Sequence, residues 1–321
     1  MQCKESPSTL RRRDSRMSSM TGRFTANVQC FGAMLLWASG FVSLEFLLAD
    51  WGALSLNAVR FVVSAGFLVI WWLLREGVHQ AGRVSWRKGL FIGALGWGVG
   101  SIFLLLGQRL SDPVTTTIVV AMMPIAGAAI EMIYDGRRMS FQLLAGIFLA
   151  VTGGYLTAGA SFDESTVGTG MALCVVAIFL FAWATRATTR ELETLTRPGQ
   201  AAVTLSGGAL ILILLCLAAL PFFPSETKVG TIDAARFWPF VIFVLPSSGI
   251  AQLMWIYAAG RLGVMLASFH MNAVPFYVMV ILLALSMGEW EWIRAAGVVV
   301  VVLGVLISQI PSGINKAQTQ S

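Results

Sequence analysis

The sequence predicts an all-α integral membrane protein with ten transmembrane helices arranged as two inverted five-helix repeats. Three observations lead there. Charged residues make up 12% and apolar residues 57% of the 321-residue chain, with a mean hydropathy of +0.77, whereas soluble domains are about a quarter charged. Ten apolar runs of about 20 residues each suit a hydrocarbon core of about 30 Å at 1.5 Å per helical residue. Sequence features of the first half also recur, in order, in the second.

A basic tail over 1–27 leads into span 1 at 28–48, which carries Trp37 and, near its far end, Glu45. Span 2 (54–74) carries Asn57 and Arg60. Span 3 (88–108) has Gly89, Gly93, Gly96 and Gly100, small residues that let helices approach closely in lipid. Span 4 (113–133) holds Thr117, Pro124 and Glu131; span 5 (141–160) holds Gly146 and Gly153. These five form the first repeat, 28–160. The second, 168–310, consists of span 6 (168–188, Trp183), span 7 (199–220), span 8 (237–259, Gln252 and Trp255), span 9 (264–285) and span 10 (290–310, Arg294). A tail over 311–321 follows. Linkers mostly shorter than 16 residues leave no room for a soluble domain.

The net charge of +6 encodes topology rather than an anionic partner. With the amino terminus inside, 17 of the 22 Lys and Arg residues fall on the cytoplasmic side and three, Arg109, Lys228 and Arg236, outside. The positive-inside rule therefore expects a multi-pass protein of the inner (cytoplasmic) membrane with both termini cytoplasmic. The leading tail resembles a signal-peptide start, but the apolar stretch after it is long and lacks an evident cleavage site, so span 1 is read as retained. Cys3, Cys30, Cys174 and Cys216 form no CxxC, and those in spans are expected to pack in the core. No Gly-Lys dipeptide exists to build a nucleotide loop. No metal site and no cofactor are expected, and no Ser/His/Asp or Cys/His set suggests an enzyme.

The repeat has a constant step. Gly146 and Gly153 match Gly297 and Gly304 at an offset of 151, as Pro124 matches Pro275 and Thr117 matches Ser268. Arg109 matches Arg261 with one residue of slippage, and Trp37 lies near Trp183 at a smaller offset. Five spans per half make the second half enter from the opposite side, an arrangement that puts a binding site near the midplane.

LLWASGFV in span 1, Arg60 in span 2, the surroundings of Pro124, the AGxxLAxxGGYL-like span 5 and their echoes in spans 6, 9 and 10 resemble the EamA family of the drug/metabolite transporter superfamily. The resemblance covers roughly 28–310. It implies a ten-helix carrier of small metabolites, commonly an exporter of amino acids or related compounds, with a cavity built largely from spans 1, 3, 4, 6, 8 and 9.

ASFHMNAVPFYV in span 9 is polar on two faces, so protein or a wet cavity must enclose it. Pro124 and Pro275 are expected to kink or hinge their helices. Asn272, His270 and Tyr277 have apolar counterparts in the first half, which suggests chemistry added to one half. The expected substrate-binding set is Trp37, Thr117, Trp183, Gln252, Trp255, Ser268, His270, Asn272 and Tyr277. Glu45 and Arg60 are expected to pair, for structure or for proton coupling, with Asn57 completing the network, while Glu131 and Arg294 snorkel toward the interfaces. The function expected is secondary transport, by alternating access, that exports a small metabolite such as an amino acid. A membrane-embedded enzyme acting on a lipid-like substrate and a non-transporting sensor or assembly subunit are the alternatives. The expected partners are a small molecule and the lipid bilayer, with no nucleic acid; a homodimer is left open.

Overall fold

Backbone amides cannot be left unpaired in lipid, and long apolar runs answer that constraint by becoming helices. The computed structural model describes residues 7–110, 119–120, 122–158 and 168–310, and these contain helices and turns without a strand. In chain order the helices are α1 (Pro7–Leu48), α2 (Ala53–Glu76), α3 (Trp86–Gln108), α4 (Met123–Asp135) and α5 (Phe141–Ala158). They continue as α6 (Thr169–Glu191), α7 (Arg197–Ala219), α8 (Ala234–Leu262), α9 (Val264–Ala284) and α10 (Trp292–Ser308). Among the described residues, seven of them are long and apolar enough to cross a membrane: α1 over Thr21–Leu48, α2, α3 and α6 to α9. The shorter α4, α5 and α10 stand where spans 4, 5 and 10 are expected. The expected start of span 4, with Thr117, lies outside the described residues.

Three of the helices are irregular. α3 widens into a π-helical segment at Gly93–Val99 and α8 does so at Leu245–Ile250. α9 tightens into a 3-10 segment at Phe269–Ala273 before resuming at Val274, and α4 starts at Met123. Pro124 and Pro275 each occupy the first turn of the segment that follows, where a residue without an N–H leaves no hydrogen bond unmade.

The principal packings are α5 on α10, α2 on α7, α4 on α9, α3 on α6 and α7, α8 on α1 and α2, α4 on α6 and α9 on α1. Glycines let several of these backbones touch. A Cβ at Gly153 would lie 2.6 Å from the Gly297 carbonyl oxygen, and one at Gly304 would lie 2.9 Å from that of Gly146. Gly93 backs onto the Thr204 backbone of α7, and Gly96 and Gly100 onto Ala184 and Phe181 of α6, the close packing expected of span 3. Cys30 and Cys174 are buried, as expected of cysteines in spans.

Two faces emerge. On one, the turn after α1 meets the connection before α8: Gly52 and Leu54 donate to the carbonyls of Lys228 and Glu226, and Lys228 Nζ lies 2.6 Å from Asp50. On the other, the Thr196 hydroxyl donates to Glu76 (2.6 Å), Arg186 at the end of α6 pairs with Asp135 at the end of α4, and Gln309 after α10 bonds to Asn27 in α1. This second face gathers the arginines and is called the basic face below.

Candidate functional site

Trp37, Trp183, Trp255 and Tyr277 all pack into or against one apolar cluster built from α1, α2, α3, α6, α7, α8 and α9. The Trp37 and Trp255 rings are 5.6 Å apart between centroids, and Trp183 meets Phe91 edge-on at 6.2 Å. Trp255 is 1% exposed, and its indole N–H donates to Thr185 Oγ1 (3.0 Å), whose own hydroxyl donates to the Phe181 carbonyl (2.8 Å). It is therefore anchored at both its face and its edge. Gln252, one turn earlier and also buried, has an amide nitrogen with no hydrogen-bond partner among the described residues, and neither has the indole nitrogen of Trp97, stacked on Phe181. Unpaired buried donors cost about 1–3 kcal/mol each, so this part of the core has unused hydrogen-bonding capacity.

The polar residues of α9 do not share that surface. Asn272 donates its amide to the Ala150 carbonyl of α5 (2.7 Å) and is 2% exposed. Ser268 donates to Val264 of its own helix. His270 Nδ1 lies 3.1 Å from the Ala267 carbonyl oxygen, and its ring meets Phe31 edge-on at 4.6 Å. Expected as ligand contacts on two faces of span 9, all three are buried among neighbouring helices. A polar group on an apolar helix is most cheaply satisfied by a helix already packed against it, and α5 and α1 supply those neighbours.

The expected Glu45–Arg60 ion pair is not formed. Glu45 lies on the exposed side of α1, while Arg60 turns inward, donating to Asn57 Oδ1 (2.7 Å) and lying over the rings of Phe61 and Phe243 at 5.2 and 5.3 Å. Matched depth on adjacent helices does not ensure facing directions. Asn57 does complete a network, donating in turn to Ser101 of α3 (3.0 Å).

At the basic face the structure opens a cavity of about 1030 Å³ between the ends of α4, α6, α8 and α10 and the starts of α5, α7 and α9. None of the expected substrate-binding residues that the structure describes lines it. Seven arginines do, against three carboxylates, Glu131, Asp135 and Glu193. Glu131, expected to snorkel, is 4% exposed. Its carboxylate accepts from the Met265 backbone N–H (3.3 Å), capping the start of α9, and pairs with Arg137. The signal for it in the sequence is Gly263: its φ of +87° favours glycine, and a Cβ there would meet Glu131 Oε1 at 2.6 Å.

Residues 25–159 match the EamA-like transporter family. The resemblance carried by LLWASGFV, Arg60 and span 5 falls within that stretch. Beyond it, the chain is 25% identical over 302 residues to Uncharacterized transporter YyaM of Bacillus subtilis (strain 168), covering 89% of this chain and 97% of the relative. It is 22% identical over 298 residues to Uncharacterized transporter YrdR of the same organism, covering 89% and 92%. A protein crystal structure shares the fold with a TM-score of 0.74 at 18% identity, covering 90% of this chain and 98% of the other. The apolar helices and these similarities support a multi-pass membrane protein that is similar to transporters.

Proposed function

We propose that the protein is a secondary transporter of the drug/metabolite type that exports a small polar or amphipathic metabolite, an amino acid or a related compound, by alternating access. Ten spans in two inverted halves would sit in the cytoplasmic membrane with the basic face and both termini cytoplasmic. The observation that carries this reading is the correspondence between the halves. Advancing every helix number by five returns the principal packings, the two π segments and the two proline-led segments. Inverted repeats related in this way allow one bundle to rock against the other around a central site, exposing it to each face in turn. Pro124 and Pro275 would act as hinges; Trp37, Trp183 and Tyr277 would form walls and Gln252 a donor near the midplane. No cofactor is required.

Counterflow of a radiolabelled amino-acid panel into liposomes containing the purified protein tests the reading. Saturable exchange of at least one compound is expected; none, with the protein folded, overturns it. Orientation is tested separately by single cysteines at Ser225 and Thr194 in a cysteine-free background. An impermeant reagent outside intact cells should label Ser225→Cys and spare Thr194→Cys.

A further inference from the structure

We propose that the basic-face cavity is a binding site for an acidic group, carboxylate or phosphate, of the transported solute, with the Arg197 guanidinium as its focus. This rests on the transporter reading and specifies its substrate class.

The positive-inside rule accounts for the sign of charge on this face but not for its placement. Of the cavity's arginines, two are neutralised: Arg137 by Glu131 and Arg186 by Asp135. Arg23, Arg138, Arg190, Arg197 and Arg261 line the same space without an ion pair among the described residues. Arg190 and Arg261 are near enough to repel Arg197, and Glu193 is near enough to attract it. Seven arginines against three carboxylates thus leave the cavity lining with an excess of positive charge, an arrangement that attracts and focuses an anion.

Arg197 is also held in place. The Gln200 side-chain oxygen accepts from its guanidinium (2.8 Å), and Gln200, 1% exposed, is itself anchored by donation to the Leu192 and Leu195 carbonyls. The brace is neutral, so it positions the guanidinium without cancelling its charge. Behind it, Gly260 makes room at the end of α8: a Cβ there would lie 2.5 Å from Arg197 Cζ. A fixed fork of N–H donors with no carboxylate paired to it among the described residues suits the two oxygens of a carboxylate or phosphate. The cavity is ringed by helix ends and their connections, which favours a solute over a lipid headgroup as occupant.

The test uses the purified full chain in phosphatidylcholine nanodiscs, titrated with sodium L-glutamate or inorganic phosphate at constant ionic strength against sodium chloride. A saturable rise in melting temperature is expected with at least one of these anions and not with chloride. Arg197→Gln should weaken it at least tenfold, Arg197→Lys by less, and Gly260→Ala should weaken it without removing any charge. Arg75→Gln, on the same face but outside the cavity, should leave it unchanged. Should Arg197→Gln not fold, Gly260→Ala decides alone. Equal weakening by Arg75→Gln and Arg197→Gln, no response to either anion, or a response only when phosphatidylglycerol is added to the nanodisc overturns the proposal. Counterflow of neutral amino acids with no anion binding would overturn it and leave the transporter reading intact; anion binding without counterflow of any solute would sink the carrier instead.

Discussion

In α4 and α9 the same residue opens a helical segment, Pro124 in one and Pro275 in the other, yet the side chains around the two prolines do different things. The residues three and five places before Pro275 are Asn272 and His270, which bond to α5 and to the backbone of α9 itself; their counterparts in the first half are Ala121 and Val119. Glu131, which caps α9 at the basic face, corresponds to Leu282, which caps nothing. The connections repeat the lesson. Asp50 meets Lys228 on one face, and at the equivalent place on the other a threonine, Thr196, meets Glu76. α8 also packs on α6 and α7, whereas α3 has no matching close packing on α1 or α2. On the proposed reading of two inverted halves, backbone geometry would be shared and the fastenings differ. Two identical halves would give the two orientations of a carrier equal energy, and unequal fastenings would set which is preferred.

The largest effect is expected where the halves meet through backbone. Gly153→Ala and Gly304→Ala each place a methyl group against a carbonyl that cannot turn away, and each should cost about 3 kcal/mol of stability, the upper end for overpacking. Gly66→Ala, with nothing within 4 Å of its Cβ, should cost nothing. Unfolding of the purified protein in detergent measures all three. Equivalence of the halves predicts similar losses for the first two, and tolerance of one alone would break it.

Next is the fastening that only one half has. Glu131→Ala removes the partner of Arg137 and the acceptor for the first turn of α9, a loss of about 2 kcal/mol; it is moderated because Arg137 is 31% exposed and can turn toward water. Glu131→Gln keeps the cap and should lose about half as much. The opposite substitution, Leu282→Ala, creates no unpaired charge and serves as the symmetric control. If Glu131→Ala matches Leu282→Ala in unfolding experiments, the capping carboxylate does not fasten that face.

How much of this was readable beforehand follows from which interactions are periodic. Glycine spacing foretells close approach in α3; Gly146, Gly153, Gly297 and Gly304 serve in the sequence only as markers of the repeat, and it is the structure that places them at the α5–α10 contact. The aromatic cluster of Trp37, Trp183 and Trp255 was likewise visible from position in the spans. Side-chain direction was not. Arg60 and Glu45 lie at matched depth but point apart, and nothing in one-dimensional spacing reports the rotation of one helix relative to its neighbour. Arg197 and Gln200 were missed because a single arginine at a helix start reads as topology until the cavity around it is seen.

A smaller effect separates two readings of α9. Asn272→Ala removes one interhelical hydrogen bond and should lower stability by about 1 kcal/mol, in the range for such bonds in membranes and in water. Substrate affinity, measured by calorimetry once a ligand is in hand, should hardly change. Unaltered stability together with a several-fold loss of affinity would instead return Asn272 to the binding site and make the polar residues of the second half its chemistry.

The smallest effect is in the paired connections, where equivalent places use different groups. Lys228, 2.6 Å away, and then the backbone N–H and hydroxyl of Thr231 hold the Asp50 carboxyl well below the usual carboxylate range. A carboxyl with a depressed pKa in the folded state contributes stability that is fully present above the unfolded value of about 3.9 and is lost as pH falls through and below it. Stability should therefore decline on acidification from about pH 5 downward, and Asp50→Asn should flatten that part of the profile while slightly lowering the plateau near pH 7. The exposure of Lys228, 58% at the side chain, keeps the change small and makes it shrink in high salt. Thr196→Ala, at the equivalent connection on the basic face, removes a hydroxyl instead of a carboxylate and should leave the acid limb as it was. Unfolding midpoints of the two variants between pH 3 and 7, at low and high salt, make the comparison. An acid limb unchanged by Asp50→Asn would mean that the Asp50–Lys228 contact is not what gives that face its pH dependence.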